Sequence, residues 1–219
     1  MEGEMAPKTI ETRILFLSLA ALLITEAATG VLLAEHGYSS LSILGVVRAA
    51  EILLFFLIVS AWGKGMSSIG LAQGRRVAGL KKGLIWSAVF GLCAFLGLAV
   101  LYAAHIEKPL GLIRTHLPPD TQGIVLLFVV AGLVSPVAEE IFFRGILYGF
   151  LRRWGVIVAV AGSTVIFVFA HAIISGIPLT QLIGGIVFAV AYEVEENLMV
   201  PITIHVLGNI AIFSLSLVS

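Results

Sequence analysis

The sequence predicts an all-α protein, a polytopic membrane helix bundle with about seven transmembrane helices. Of its 219 residues, 59% are hydrophobic and only 12% are charged, and the mean hydropathy is +1.10. This composition is far from that of a soluble globular domain. The apolar residues also lie in stretches of about 20, the length that a helix needs to cross the hydrocarbon core. We therefore expect a single integral membrane domain over residues 1–219.

Seven apolar stretches are candidates for membrane spans, and the sixth is the shortest. They lie at about 14–34, 43–62, 84–104, 123–150, 155–175, 179–193 and 199–218. The chain before the first stretch contains three glutamates. A cleavable signal peptide has a basic start and a shorter apolar region, so we expect the first span to be retained.

The distribution of basic residues predicts the orientation. The loop 63–83 has no acidic residue and five basic ones: Lys64, Arg75, Arg76, Lys81 and Lys82. By the positive-inside rule this loop is cytoplasmic, which places the N-terminus inside as well. The acidic turn at 192–197 then also lies inside, and we expect its three glutamates to be solvated.

Charge and cysteine content exclude several classes of function. The formal net charge is zero, so no overall field attracts nucleic acid, and we expect no nucleic-acid partner. A single cysteine, Cys93, excludes an intrachain disulfide and a thiol zinc cluster. The sequence does not indicate an oligomeric state.

The first three spans contain few strongly polar residues, namely Glu26, Arg48 and Glu51. Arg48 and Glu51 are three residues apart on one helical face, and Glu26 of the first span could reach Arg48. We interpret them as a structural intramembrane ion pair.

The fourth span contains three charges, Glu139, Glu140 and Arg144. An ionised side chain near the bilayer centre costs about 2.5–3.5 kcal/mol, so such a cluster indicates a functional site. Glu140 and Arg144 have the i, i+4 spacing of a helical ion pair, which suits a structural role. Glu139 is rotated about 100° away and lacks such a partner. We therefore expect Glu139 to transfer protons as a general base.

Two later spans each contain a polar residue pair at helical spacing. His171 follows Phe167 by four residues, and a neutral imidazole there could hold a water together with Glu139. His205 and Asn209 share a face and could donate hydrogen bonds to an oxyanion. Each pair alone is weak evidence for a catalytic site, because such residues often only pack or hydrogen-bond in a protein core. Together they predict water attack on an amide, because no serine or cysteine nucleophile stands beside them.

These residues resemble the signature of the CAAX-protease and bacteriocin-processing family (the CPBP or Abi group) of intramembrane endopeptidases. That signature is EExxxR, FxxxH and HxxxN on successive membrane helices. Here the three motifs are EEIFFR at 139–144, FVFAH at 167–171 and HVLGN at 205–209. The resemblance covers about 123–215, which it marks as a catalytic Abi-like core.

The resemblance implies a glutamate-dependent intramembrane endopeptidase. Its substrate would be a membrane-associated or lipid-modified peptide or protein, cut near the C-terminal tail. Glu139 would activate water with His171, while His205 and Asn209 would stabilise the oxyanion. It also implies contact with membrane lipid and a location in a bacterial or archaeal cell membrane.

Two alternatives remain open at the level of sequence. We expect no cofactor, but histidine and glutamate also ligate zinc, and Glu139, His171 and His205 would then be the ligands. The chain could instead be a non-enzymatic immunity or scaffold protein, or a small transporter with a buried proton relay. The intact motifs argue against the former, and the absence of an inverted repeat argues against the latter.

The depth of the motif residues poses a geometric problem. Measured from the cytoplasmic ends of the predicted spans at 1.5 Å per residue, Glu139 lies about 18 Å deep, His171 about 24 Å and His205 about 9 Å. Straight parallel helices would not bring them together. The sequence thus requires either a kink near Pro136 or a nearby glycine, or shifted span boundaries.

Overall fold

The structure is a computed structural model that describes residues 9–36, 40–105, 111, 113–171 and 179–218. The regular structure of these residues is entirely helical. They form seven principal helices: α1 Thr12–His36, α2 Ser40–Trp62, α3 Arg76–Ala103, α4 Thr121–Trp154, α5 Val156–His171, α6 Leu179–Glu195 and α7 Met199–Val218. Five of the seven, all except α5 and α6, are long and apolar enough to cross a membrane. The predicted fold class is therefore confirmed.

Several helix boundaries differ from those predicted. α3 begins at Arg76, within the predicted loop 63–83, because Arg76, Lys81 and Lys82 are compatible with a helix that continues beyond the apolar stretch. α5 and α6 are short, with 16 and 17 residues. The last residues of the predicted fifth span, 172–175, lie outside the described part of the chain.

α4 is the central helix and changes its hydrogen-bonding pattern twice. It is π-helical at Val130–Val134 and again at Ile141–Tyr148, with α-helical turns at Ser135–Glu140 between them. Pro136 lies just after the first π-helix, where its missing N–H cannot close a helical bond. The predicted irregularity near Pro136 thus takes the form of a π-to-α change, a feature that often accompanies functional sites.

The turn between α6 and α7 is buried instead of lying at the protein surface. Asn197 and Leu198 are enclosed, and the Leu198 N–H donates to the Gly70 carbonyl at 3.1 Å. The Asn197 amide donates to the Arg75 carbonyl at 2.8 Å. The chain between α2 and α3 therefore covers this turn, so α7 begins inside the protein. The depth predicted for His205 was counted from the start of its span, and that start lies at a buried turn.

Two glycines allow α3 to pack closely on α7 and on the turn before it. A Cβ on Gly83 would lie 2.6 Å from the Thr203 Cβ, and one on Gly79 would clash with the Asn197 side chain. Larger residues at these positions would push α3 outward. α3 contributes little else to the core, and most of its apolar side chains face outward.

The acidic turn after α6 is more structured than expected. Glu193 accepts hydrogen bonds from Arg152 at 2.8 Å and from the Tyr148 hydroxyl at 2.7 Å. Glu195 accepts one from the Trp86 indole at 3.1 Å and pairs with Lys82. The expectation of a solvated turn is wrong for both residues, which tie α6 to α4 and α3.

The ion pair predicted between the first two spans is confirmed. Arg48 contacts Glu26 at 2.9 Å and Glu51 at 2.6 Å. Glu51 is 1% exposed and also accepts a hydrogen bond from Thr25 at 2.8 Å. This network joins α1 to α2 on the side of α2 that packs against α4.

Candidate active site

The site is built around the ion pair of Glu140 and Arg144 on α4, both of which are fully buried. Arg144 Nη1 donates to Glu140 Oε1 at 3.0 Å, and Nη2 donates to the Gly185 carbonyl of α6 at 3.2 Å. The guanidinium also lies over the Phe167 ring of α5, 4.6 Å from its centroid, in a cation–π arrangement. Arg144 thus connects three helices at the level of the site.

Glu140 has a second partner that its sequence spacing did not indicate. The Nδ1 of His205 on α7 lies 2.8 Å from Glu140 Oε1. An ionised carboxylate can only accept, so the hydrogen of this bond belongs to His205 Nδ1. The Phe188 ring stacks on the imidazole, 4.7 Å between centroids. Glu140 and Phe188 together fix the orientation of His205.

Glu139 lies beside two histidines and is 16% exposed. Its Oε2 is 3.7 Å from His171 Nε2 and 3.8 Å from His205 Nε2. Both distances are too long for a direct hydrogen bond, but each is short enough for a water held between the groups. The structure therefore brings Glu139, His171 and His205 around one small volume, despite the different depths predicted for them.

A hydrogen bond within α5 determines which ring nitrogen of His171 carries the hydrogen. The other nitrogen, Nε2, faces Glu139. Its Nδ1 lies 2.8 Å from the Phe167 carbonyl, one turn earlier on α5. A carbonyl can only accept, so Nδ1 carries the hydrogen and Nε2 of the neutral ring is an acceptor. The FxxxH motif therefore combines two tasks, since Phe167 also packs against Arg144.

Asn209 is the one predicted catalytic residue whose hydrogen bond leads away from this group. Its Nδ2 donates to the Ala131 carbonyl at 2.9 Å, within the first π-helix of α4. The bond joins α7 to α4 about one turn beyond His205. An amide nitrogen has a second hydrogen, so this contact leaves one donor for another acceptor.

Sequence reasoning missed three contributors to the site: the Gly185 carbonyl, the Phe188 ring and the Ala131 carbonyl. Two are backbone groups, which every residue type possesses, so no residue pattern marks them. Phe188 is one of 13 phenylalanines in an apolar chain, and nothing in its neighbourhood singles it out.

Histidine and glutamate side chains of the site are also potential metal ligands. Among the described residues, no group of three or more histidine, cysteine, aspartate or glutamate side chains has the arrangement to hold one. If a zinc ion were bound, Glu139, His171 and His205 would be its ligands.

Comparison with known proteins identifies the part of the chain that carries the site. Residues 121–211 match the family Type II CAAX prenyl endopeptidase Rce1-like. The chain is 34% identical over 89 residues to the "Putative membrane peptidase YdiL" of Bacillus subtilis (strain 168), a match covering 40% of this chain and 36% of that protein. It is also 34% identical over 100 residues to the "Membrane-embedded CAAX protease MroQ" of Staphylococcus aureus (strain USA300), covering 42% and 40% of the two chains. No solved structure matches the chain.

The matches to the two relatives span about two fifths of each relative's length. The family match at 121–211 falls on the helices that form the site. The three motifs, their convergence and the apolar helices agree with them. Residues 121–211 of this integral membrane protein are therefore similar to the Type II CAAX prenyl endopeptidase Rce1-like family.

Proposed function

We propose that the chain is a membrane endopeptidase that hydrolyses a peptide bond by attack of an activated water, with Glu139 as the general base. The observation that carries this proposal is the convergence of Glu139 Oε2 with His171 Nε2 and His205 Nε2 at 3.7 and 3.8 Å. A water between these atoms would lie close to the Glu139 carboxylate, whose side chain is 16% exposed.

The hydrogen-bond directions assign separate tasks to the two histidines. A water has two hydrogens, and Glu139 and His171 Nε2 supply two acceptors for them. The water oxygen then attacks the carbonyl carbon of the substrate while one hydrogen passes to Glu139. That proton subsequently moves to the leaving nitrogen as the carbon–nitrogen bond breaks.

His205 is suited to stabilising the oxyanion. Its Nδ1–H is held by Glu140, so Nε2 can donate to the oxyanion only when the ring is protonated. Two carboxylates lie near this ring, at 2.8 and 3.8 Å. The remaining hydrogen of the Asn209 amide supplies a second donor, provided that the substrate oxygen reaches it.

The mechanism uses no metal ion. Its chemistry is supplied by the side chains of Glu139, His171, His205 and Asn209. The proposed substrates are membrane-associated or lipid-modified peptides or proteins cut near the C-terminal tail, as the names of the family and of MroQ suggest. The proposed location is a bacterial cell membrane with the N-terminus in the cytoplasm.

Comparison of membrane-protein C-termini tests the function as a whole. Membranes that contain the wild-type protein and membranes that contain Glu139→Gln are compared by mass spectrometry, with exposed Glu196→Gln as the matched control. We expect shortened C-termini with the wild type and with the control, and intact ones with Glu139→Gln. Identical C-termini in all three samples would overturn the proposal.

A further inference from the structure

An open groove lies between the start of α1 and the α4–α5 turn, remote in sequence from the motif residues. Its volume is about 530 Å³, and it is lined by Thr9, Ile10, Glu11, Thr12, Arg13 and Arg153. The groove is preformed, because Ile10 is buried and its N–H donates to the Gly149 carbonyl at 3.2 Å. Arg153 donates to the Ile10 carbonyl from the other side.

The lining carries a net positive charge, since two arginines face one glutamate. The Arg13 guanidinium lies 5.3 Å from the centroid of the Trp62 ring, and that of Arg153 lies 4.0 Å from the Phe150 ring. Stacking on a ring orients a guanidinium. Arg153 donates from Nε to the Phe150 carbonyl and from Nη1 to the Thr12 hydroxyl, so an oxyanion would be bound by the remaining Nη hydrogens. Glu11, directly before α1, is the acidic side chain of this lining.

The surroundings of the groove are those of a membrane–water interface. Trp62 and Trp154 are both exposed beside it, and tryptophan is enriched at that level of a bilayer. Exposed apolar side chains follow each arginine within four residues: Phe16 is 62% exposed on α1, and Ile157 is 84% exposed at the start of α5. A ligand that fits must therefore combine an anionic head with an apolar tail.

We propose that this groove binds the phosphodiester headgroup of an anionic glycerophospholipid, with Arg13 and Arg153 on the phosphate and the acyl chains along Phe16 and Ile157. The bound lipid would fix the start of α1 against the α4–α5 turn. The proposal does not depend on peptidase activity.

Quenching of tryptophan fluorescence by brominated lipid tests this site in the full-length protein in nanodiscs. The chain has three tryptophans, and Trp86→Phe leaves Trp62 and Trp154 as reporters beside the groove. We expect brominated phosphatidylglycerol to quench at a lower mole fraction than brominated phosphatidylcholine. Arg13→Gln should raise the required fraction about fivefold, the effect of one cation near a membrane surface. Phosphatidylglycerol retained by the protein with all three tryptophans, measured by mass spectrometry, should fall in parallel.

Lys81→Gln is the matched control, because it removes one exposed positive charge on α3, away from the groove. A specific site requires that Lys81→Gln leave the quenching unchanged. Equal effects of the two variants would show general attraction to an anionic surface and overturn the proposal. Equal quenching by both lipids would do the same. Competition by millimolar inorganic phosphate in detergent would assign the groove to free phosphate and refute the lipid.

Discussion

His205 on α7 donates its Nδ1–H to Glu140 on α4 at 2.8 Å, and the accepting oxygen is the one that also receives Arg144 at 3.0 Å. Glu140 is therefore more than the partner of Arg144. Its hydrogen bond with Nδ1 leaves Nε2 of His205 facing Glu139. The second glutamate of the EExxxR motif thus supports the first through a histidine from another helix.

Glu139→Gln should abolish turnover and leave the protein folded, because glutamine keeps the shape and hydrogen-bonding capacity of the side chain but cannot accept the proton. Turnover of a peptide substrate and the Tm in detergent measure the two effects. Near wild-type turnover would refute the role of Glu139 as the base.

Glu140→Gln should lower stability together with activity. The substitution leaves the fully buried Arg144 without its ionic partner, and breaking one side of a buried pair typically costs about 3–5 kcal/mol. The double variant Glu140→Gln/Arg144→Met should recover part of the stability, because no unpaired charge remains. It should not recover activity, because His205 still lacks its carboxylate partner. A Glu140→Gln protein that is fully stable but inactive would show that the roles of the two glutamates are reversed.

Asn209→Ala should lower kcat by about 10²–10³ with little change in KM if the amide stabilises the oxyanion. The hydrogen bond to Ala131 offers a structural role instead, whose loss would cost about 1 kcal/mol of stability. Measuring kcat, KM and Tm on one preparation separates the two. A lower Tm with unchanged kcat would limit Asn209 to joining α7 and α4.

Metal removal should leave the activity unchanged, because the proposed chemistry uses Glu139, His171 and His205 alone. Purified, active protein is dialysed against a strong chelator, and its zinc content and turnover are measured before and after. Stoichiometric zinc whose removal and return follow the activity, and which His205→Ala releases, would refute the metal-free mechanism.

Glu51→Gln should destabilise the protein more than Glu26→Gln does, although both glutamates contact Arg48. Glu51 is enclosed and satisfies Thr25 as well, whereas the Glu26 side chain is 45% exposed. Loss of Glu51 leaves a largely buried guanidinium with one peripheral partner. Thermal unfolding of the two variants in the same detergent checks the order, and equal Tm values would contradict it.

Sequence patterns were most informative where a contact lies within one helix. The i, i+4 spacing of Glu140 and Arg144 and the i, i+3 spacing of Arg48 and Glu51 correspond to contacts of 3.0 and 2.6 Å. The spacing within FxxxH likewise places His171 above the Phe167 carbonyl. Helical geometry alone fixes such distances. The catalytic roles of these residues and the single-domain extent remain predictions.

The sequence by itself determined that this is an all-α membrane protein with an intramembrane charge cluster, because apolar stretches and helical spacing are local properties. Only the tertiary structure decided that His205 meets Glu140, that Asn209 bonds to Ala131, and that Glu193 pairs with Arg152. These contacts join different helices. Which residues meet depends on the level in the bundle at which each helix begins. The buried turn at Asn197–Leu198 determines where α7 begins. This turn packs against the chain around Gly70. Such a contact between residues distant in sequence leaves no periodic pattern in the sequence.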